Sequence, residues 1–220
     1  MRSAGFYARY GKRGFDFAVA LVGMVILLMP LVMLGLLIWV VDGRPVIFRQ
    51  PRVGRQGRLF QVCKFRTMTN RRQSTSTITV AGDVRITPVG RCLRRFKLDE
   101  LPQLYNVLVG QMSLVGPRPD VPGYADRLQG EAARLLELRP GITGPATVAF
   151  RDEEQLLAAA RDPVAYNDQV LYPAKVQLNL DYLKKISLRE DLRWILRTLL
   201  PSLCHQCQPS LVLPSPDTDK

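Results

Sequence analysis

The sequence is poor in the residues that metal, redox and nucleophilic sites commonly use. It contains one histidine and four cysteines among 220 residues. So few cysteines do not make a disulfide scaffold, and we expect reduced thiols facing a cytosol. Cys204, His205 and Cys207 lie close together, but a closed zinc site needs four ligands. Because no second histidine can act as a base, a Cys/His nucleophile is not indicated either.

The sequence also lacks nucleotide-binding motifs, and it contains only one long apolar run. No GxxxxGK(S/T) or GxGxxG pattern occurs, so neither a P-loop nor a dinucleotide-binding fold is indicated. The apolar run covers residues 17–41 without a charged side chain. It exceeds the roughly 20 residues that a helix needs to cross a bilayer. Asp42 and Gly43 follow it instead of a small-residue cleavage site, so we expect it to be retained in the membrane.

Acidic residues are scarce relative to basic ones. The chain has 19 Asp and Glu against 31 Lys and Arg, which gives a net charge of +12. The excess lies in residues 42–98, directly after the apolar run. A basic block beside an apolar segment predicts attraction to anionic lipid headgroups, and secondly a site for phosphorylated substrates. Nucleic acid is a poorer interpretation, because no recognised binding motif accompanies the charge.

The charges around the apolar run predict that both of its ends stay on one side of the membrane. Basic residues precede and follow it: Arg2, Arg9, Lys12 and Arg13, then Arg44, Arg49, Arg52, Arg55 and Arg58. Under the positive-inside rule both flanks prefer the cytoplasm. Pro30 lies near the middle, where proline removes a backbone hydrogen bond and clashes with the preceding turn. We therefore predict a re-entrant helix–break–helix hairpin broken at Pro30, with a single kinked span as the alternative.

The segments after the apolar run predict a hairpin followed by helices. Residues 46–66 hold short apolar stretches around Arg55-Gln56-Gly57, which predicts a small β-hairpin with a glycine turn. Thr87-Pro88 predicts an N-cap and first turn for a helix over about 88–96. A second helix, capped by Asp99, is predicted to follow. Three stretches rich in polar residues, Gly or Pro are predicted as loops: residues 70–82, 116–119 and 139–144.

The C-terminal part predicts an amphipathic helix and a tail. Ser187 followed by Glu190 forms a capping box at the start of the helix. Leucines then repeat at helical spacing, and arginines line another face, which predicts either an interfacial helix or a core-packing one. The Pro/Ser-rich residues 201–220 are predicted to be disordered.

Asp99 and Glu100 are the strongest candidates for catalysis. They are adjacent carboxylates at a predicted helix start, directly after a group of cations. A helix N-terminus favours phosphate and an ionised carboxylate, and an ionised carboxylate can attack phosphorus as a nucleophile. Two carboxylates can also hold Mg2+ together with substrate phosphates. The alternative is structural: Asp99 merely caps the helix, and Glu100 favours its dipole.

Four cations are candidates for phosphate binding: Lys64, Arg66, Arg94 and Arg118. Arg118 lies between two prolines, and this rigid backbone reduces the entropy lost when a guanidinium clamps a phosphate. Lys64 and Arg66 share one short segment, and Arg94 lies in the basic stretch before Asp99. Singly, each is better explained as a solvated charge. Together they supply cations without a comparable number of acids.

Several long motifs resemble one known family. They are KFRTM at 64–68, LDELPQL at 98–104, LVGPRP at 114–119, RPGITG at 139–144 and SLREDLRWILRTL at 187–199. The matching text covers about residues 10–200. It resembles the bacterial sugar transferases, the monotopic polyprenyl-phosphate phosphoglycosyl transferases, in their small form that consists of the catalytic domain alone.

The resemblance implies a re-entrant membrane helix, interfacial amphipathic helices and an active site on the cytoplasmic face of the bacterial inner membrane. With the predicted β-hairpin, the expected fold is α+β and mainly helical. We expect residues 1–41 to form the membrane segment, residues 42–200 the catalytic domain and residues 201–220 a tail. Met29 stands where family members often have Ser before the proline, and Pro145 stands where many have Trp.

The resemblance also implies a reaction. Asp99 matches the family's nucleophile and Glu100 its acidic partner, while Lys64, Arg94 and Arg118 match positions that bind phosphate. Such enzymes use Mg2+, form a phosphosugar–aspartyl intermediate, release UMP from a UDP-sugar and pass the phosphosugar to undecaprenyl phosphate. They start exopolysaccharide, O-antigen or capsule assembly. A basic membrane scaffold without catalysis is the alternative function, and the sugar, a homodimer and contacts with downstream glycosyltransferases stay open.

Overall fold

The computed structural model describes residues 6–69 and 83–200. In this part the helices are α1 (Lys12–Ile26), α2 (Leu28–Asp42), α3 (Pro88–Arg95), α4 (Gln103–Leu108), α5 (Pro145–Ala149), α6 (Glu153–Ala159), α7 (Pro163–Tyr166), α8 (Tyr172–Lys185) and α9 (Leu188–Leu199). The strands are β1 (Ile47–Val53), β2 (Leu59–Phe65), β3 (Ser113–Val115) and β4 (Gly141–Thr143). The fold is therefore mainly helical α+β, as expected. The loop predicted over 70–82 and the tail predicted from 201 lie outside the described residues.

The apolar run forms two helices with a bend between them. The helix axis bends by 61° between the helical stretch Tyr7–Ile26 and helix α2. The break is at Leu27, three residues before the predicted site, and Pro30 lies in the first turn of α2. Proline explains this offset, because its ring clashes with the carbonyl group four residues earlier, here that of Ile26. The helix therefore ends one turn before the proline instead of at it.

The surface of this helix pair is apolar and largely uncovered. The side chains of Val25, Met29 and Val40 are 67, 69 and 75% exposed. So large an apolar surface marks a membrane or partner contact in a folded protein. Within the described ranges no single helix has the length and apolar character of a membrane span, whereas the bent pair meets both conditions together. The bent pair is therefore the candidate membrane segment of the described residues.

Buried polar contacts attach α1 to the remainder of the fold. The Asp16 carboxylate accepts hydrogen bonds from Ser113 Oγ at 2.7 Å and from the Leu114 amide at 3.1 Å. The fully buried Asp191 of α9 accepts hydrogen bonds from the Tyr7 hydroxyl and the Lys12 ammonium, both at 2.6 Å. Helix α1 and the residues just before it are thus fixed to strand β3 and helix α9.

The β-hairpin and helix α3 agree with their sequence signals. Strands β1 and β2 pair antiparallel, with Ile47 opposite Phe65, around a turn at Arg55–Gly57. Thr87 Oγ1 accepts a hydrogen bond from the Gly90 amide at 2.9 Å, which makes it the predicted N-cap. Gly90 is required there, because a Cβ atom would lie 2.2 Å from the Thr67 carbonyl oxygen.

Two predictions are wrong, one for the segment after α3 and one for residues 139–144. Asp99 does not cap a helix: it lies in a 3-10 turn, Leu98–Glu100, and α4 begins only at Gln103. Lys97, with φ at 57°, reverses the chain after α3 and produces this turn. Within the predicted loop 139–144, residues 141–143 form strand β4, which pairs parallel with β3.

Helix α9 has the predicted cap and an uncovered leucine face. Ser187 Oγ accepts a hydrogen bond from the Glu190 amide at 3.3 Å. Four leucines of this helix stay 42–69% exposed, namely Leu188, Leu192, Leu196 and Leu199. Its other apolar face packs on the main core, which includes Phe60, Val62, Met112 and Tyr182. Of the two predicted roles, the exposed leucines favour an interfacial helix over one that is wholly packed in a core.

Candidate active site

Three elements bring an acidic residue and two cations together. Glu100 comes from the turn after α3, Lys64 from β2 and Arg118 from the loop after β3. Lys64 Nζ lies 2.9 Å from Glu100 Oε1, and Arg118 Nη2 lies 2.5 Å from the same oxygen. Glu100 Oε2 has a longer contact of 3.4 Å with Arg118 Nη1. Two of the four predicted phosphate-binding cations are therefore held beside the acidic pair.

The ion cluster keeps Glu100 ionised. Burial alone would raise the pKa of Glu100, but the charges and hydrogen bonds of Arg118 and Lys64 outweigh it and hold that pKa well below its usual range. The Glu100 charge in turn raises the pKa of Arg118. Burial lowers the pKa of Lys64, while Glu100 opposes this shift. Glu100 thus serves as the fixed counter-ion of both cations.

Asp99 has the opposite environment. The residue is 9% exposed, and no hydrogen bond to its carboxylate occurs in residues 6–69 and 83–200. Burial raises the pKa of Asp99, the adjacent Glu100 raises it further, and Lys64, Arg94 and Arg118 oppose the shift. A carboxylate without hydrogen-bond donors keeps its lone pairs for an electrophile or a cation. This chemistry is what a nucleophile or a metal ligand needs.

Arg118 remains open to a ligand although it pairs with Glu100. Its side chain is 41% exposed, whereas that of Glu100 is 11% exposed. A guanidinium carries five N–H donors, and only two of them contact Glu100. The neighbouring backbone is held as well, because Arg52 Nη1 donates to the Pro119 carbonyl oxygen at 3.1 Å. A positioned guanidinium with spare donors suits a phosphate.

Comparison with known proteins identifies the family of this chain. The family model for the bacterial sugar transferases matches residues 7–205. The chain belongs to the bacterial sugar transferase family.

Several relatives of this chain come from bacteria. The UDP-glucose:undecaprenyl-phosphate glucose-1-phosphate transferase of Caulobacter vibrioides is 40% identical over 199 residues, 87% of this chain and 69% of that protein. The uncharacterized sugar transferase EpsL of Bacillus subtilis is 46% identical over 110 residues, 50% of this chain and 54% of the relative. A UDP-N-acetylgalactosamine-undecaprenyl-phosphate N-acetylgalactosaminephosphotransferase of Aeromonas hydrophila is 33% identical over 192 residues, 86% of this chain and 42% of that protein. The chain thus spans about half the length of the last two.

Arg94 and Arg66 have other partners in this structure. Arg94 Nη2 pairs with Glu154 Oε1 of α6 at 2.5 Å, although its charge still acts on Asp99. The Arg66 guanidinium donates to the carbonyl oxygens of residues 42–44, including that of Arg44 at 2.7 Å. Arg66 therefore holds the end of α2 against the β-hairpin, and its donors are not directed at the acidic pair.

Several polar residues near Arg118 carry no signal in the sequence. Asp120, two residues further along, accepts a hydrogen bond from the Tyr172 hydroxyl at 3.2 Å. Burial raises the pKa of Asp120 to about 6, against the opposing charges of Lys175, Arg52 and Arg118. Lys175 Nζ in turn lies 2.6 Å from Glu153 Oε1. Tyr172 and Lys175 lie more than 50 residues from Asp120 in the chain, so only the fold brings them together.

The acidic pair carries the kind of oxygen ligands that a divalent ion uses. Among the described residues no group of three or more His, Cys, Asp and Glu could bind a metal. Mg2+, however, is commonly held by one or two carboxylates together with substrate phosphates. The unpaired Asp99 carboxylate and the loosely held Oε2 of Glu100 fit that donor set.

Proposed function

We propose that this protein transfers a sugar 1-phosphate from a UDP-sugar to undecaprenyl phosphate and releases UMP. The supporting observation is the contrast within the acidic pair. Glu100 is neutralised by Lys64 and Arg118, while Asp99 beside it has no hydrogen-bond partner in the described part of the chain. The family and the names of the Caulobacter and Aeromonas relatives support the choice of donor and acceptor.

In the first step, an Asp99 oxygen attacks the sugar-bearing phosphorus. A bond between that oxygen and phosphorus forms as the bond to the UMP oxygen breaks, and the electron pair leaves on UMP. Arg118 and Lys64 offer their remaining N–H donors to the diphosphate, which lowers the cost of charge on the departing phosphate. Arg94 adds a positive charge near Asp99.

In the second step, a phosphate oxygen of undecaprenyl phosphate attacks the same phosphorus atom. The new diphosphate bond forms as the Asp99 carboxylate leaves, which regenerates the enzyme. Asp99 and Glu100 Oε2 would hold Mg2+ with the substrate phosphates, and the ion would neutralise part of the diphosphate charge. The UDP-sugar reacts first, because the Asp99 carboxylate must be free to attack it, and the lipid acceptor reacts second.

The proposed location is the cytoplasmic face of the bacterial inner membrane. The bent helix pair and the leucine face of α9 leave apolar surfaces uncovered, and arginines flank both. Both ends of a re-entrant pair on the cytoplasmic side would satisfy the positive-inside rule. A lipid-linked acceptor and a soluble nucleotide-sugar meet at that surface. The proposed product starts the assembly of an exopolysaccharide, O-antigen or capsule.

A UMP-release assay tests this proposal. Membranes containing the protein are incubated with Mg2+, undecaprenyl phosphate and a panel of UDP-sugars, and membranes with the Asp99→Asn variant serve as the control. UMP and a matching lipid-linked product should form with at least one donor. Absence of both with every donor would favour the alternative, a basic membrane scaffold without catalysis.

A further inference from the structure

A small cavity adjoins the proposed active site at Arg118. It lies between the loop that follows β3, the segment around 125–138 and helix α8, and its volume is about 50 Å³. Because a cavity needs only about 15 Å³ to hold one water molecule, this one has room for several waters or for part of a ligand. Arg118 lines the cavity and also contacts Glu100, so its side chain belongs both to the cavity and to the proposed active site.

Asn179 of α8 lines this cavity, and its side chain carries an unsatisfied acceptor. The residue is 6% exposed, and its Oδ1 atom is buried without a hydrogen-bond donor in the described part of the chain. Native structures leave few buried polar atoms without a partner, so such an atom calls for a specific explanation. A ligand that donates a hydrogen bond would provide one.

The remaining walls have the composition of a ligand site. Apolar side chains such as Leu128 and Leu135 lie beside a few polar groups. Asp120 contributes a carboxylate that already accepts from the Tyr172 hydroxyl, and Lys175 contributes an ammonium group. Small-molecule sites typically combine a mostly apolar lining with a small number of placed polar groups.

We propose that this cavity binds a hydroxyl-bearing ring of the nucleotide-sugar, with Asn179 Oδ1 and the Asp120 carboxylate accepting hydrogen bonds from its hydroxyl groups. The inference rests on the proposed function, since it takes the substrate from it. Arg118 would hold the diphosphate at the mouth of the cavity, which places an attached ring within reach. Both the hexose and the ribose have this chemistry, and the experiment separates them.

The test compares two variants of the cavity with one control in the full-length membrane protein. Asn179→Leu removes the acceptor at nearly constant volume, and Ala125→Leu fills the cavity from its apolar wall without changing a polar group. Gln177→Leu on the exposed side of α8 is the matched control. We expect the KM for the UDP-sugar to rise roughly three- to tenfold in both cavity variants, as for one lost hydrogen bond. The control should match the wild type.

UMP inhibition distinguishes the two rings. If the cavity holds the hexose, the inhibition constant of UMP stays unchanged in both variants, whereas it rises in parallel with KM if the cavity holds the ribose. An unchanged KM in both variants, with wild-type turnover present, would overturn the assignment and leave a cavity that holds water only. Absence of turnover in the wild type would instead overturn the proposed function. Thermal unfolding of each variant shows whether a KM change comes from misfolding.

Discussion

The two adjacent carboxylates should have opposite effects on stability. Glu100→Gln removes the charge that neutralises Lys64 and Arg118, whereas Asp99→Asn removes a charge with no hydrogen-bond partner in the described residues. Removing one partner of a buried ion pair commonly costs about 3–5 kcal/mol. The loss is smaller here for two reasons. Arg118 is 41% exposed, so solvent screens its interaction with Glu100, and the glutamine side chain keeps one hydrogen-bond acceptor. We therefore expect Glu100→Gln to lower the free energy of unfolding by about 2–3 kcal/mol.

Thermal unfolding in lipid nanodiscs measures this difference. For a chain of this size, 1 kcal/mol shifts the Tm by about 2–4 °C, so Glu100→Gln should unfold about 5–10 °C below the wild type. Asp99→Asn should match or exceed the wild-type Tm, because it removes a buried charge beside Glu100. Equal losses in the two variants, or no loss in Glu100→Gln, would refute the assignment of Glu100 as the counter-ion.

Three further predictions concern the surrounding residues. Arg118→Lys keeps the charge but loses the two-pronged geometry, so UMP release should fall about tenfold or more, and near-normal turnover would contradict a geometric role. Burial raises the pKa of Asp120 to about 6. The protonated Asp120 carboxyl therefore contributes fully to the free energy of unfolding below pH 4, and this contribution is lost as the pH rises through 6. The stability of Asp120→Asn relative to the wild type should therefore increase between pH 4 and 7, by at most about 3 kcal/mol. A difference in Tm between the two proteins that does not change with pH would refute this. Pro30→Leu removes the clash that ends α1, so one of two cysteines placed near residues 4 and 45 should become accessible to an impermeant thiol reagent from outside, whereas both stay protected with Pro30 present.

Local signals account for the elements that could be predicted. The apolar run, Thr87-Pro88 and the capping box at Ser187 each act within a few residues, and the structure agrees with them. The position of the bend differs because the steric effect of Pro30 acts on Ile26, four residues earlier. Three-residue strands such as β4 have no periodicity to recognise, so its pairing with β3 was not predictable.

The candidate site shows where sequence reasoning ends. Lys64 and Arg66 lie two residues apart with similar chemistry, yet one contacts Glu100 and the other binds backbone carbonyls at the end of α2. Strand alternation would place both side chains on one face, but β2 ends at Phe65, so Arg66 lies beyond the strand and takes a different partner. The expected helix start at Asp99 was wrong as well. The surroundings of Asp99 are set by burial and by Glu100, not by a helix terminus.

The central claim is that Asp99 is the nucleophile, and intact-mass analysis tests it most directly. The purified protein is mixed with Mg2+ and the UDP-sugar that gives turnover, without undecaprenyl phosphate, and quenched within one turnover. We expect one equivalent of UMP per enzyme and one added phosphosugar mass on the peptide that contains Asp99. The Asp99→Asn variant should show neither, while Gln177→Leu should show both. UMP release that strictly requires the lipid acceptor, with no added mass on the protein, would contradict the covalent route and leave Asp99 as a metal ligand or a base.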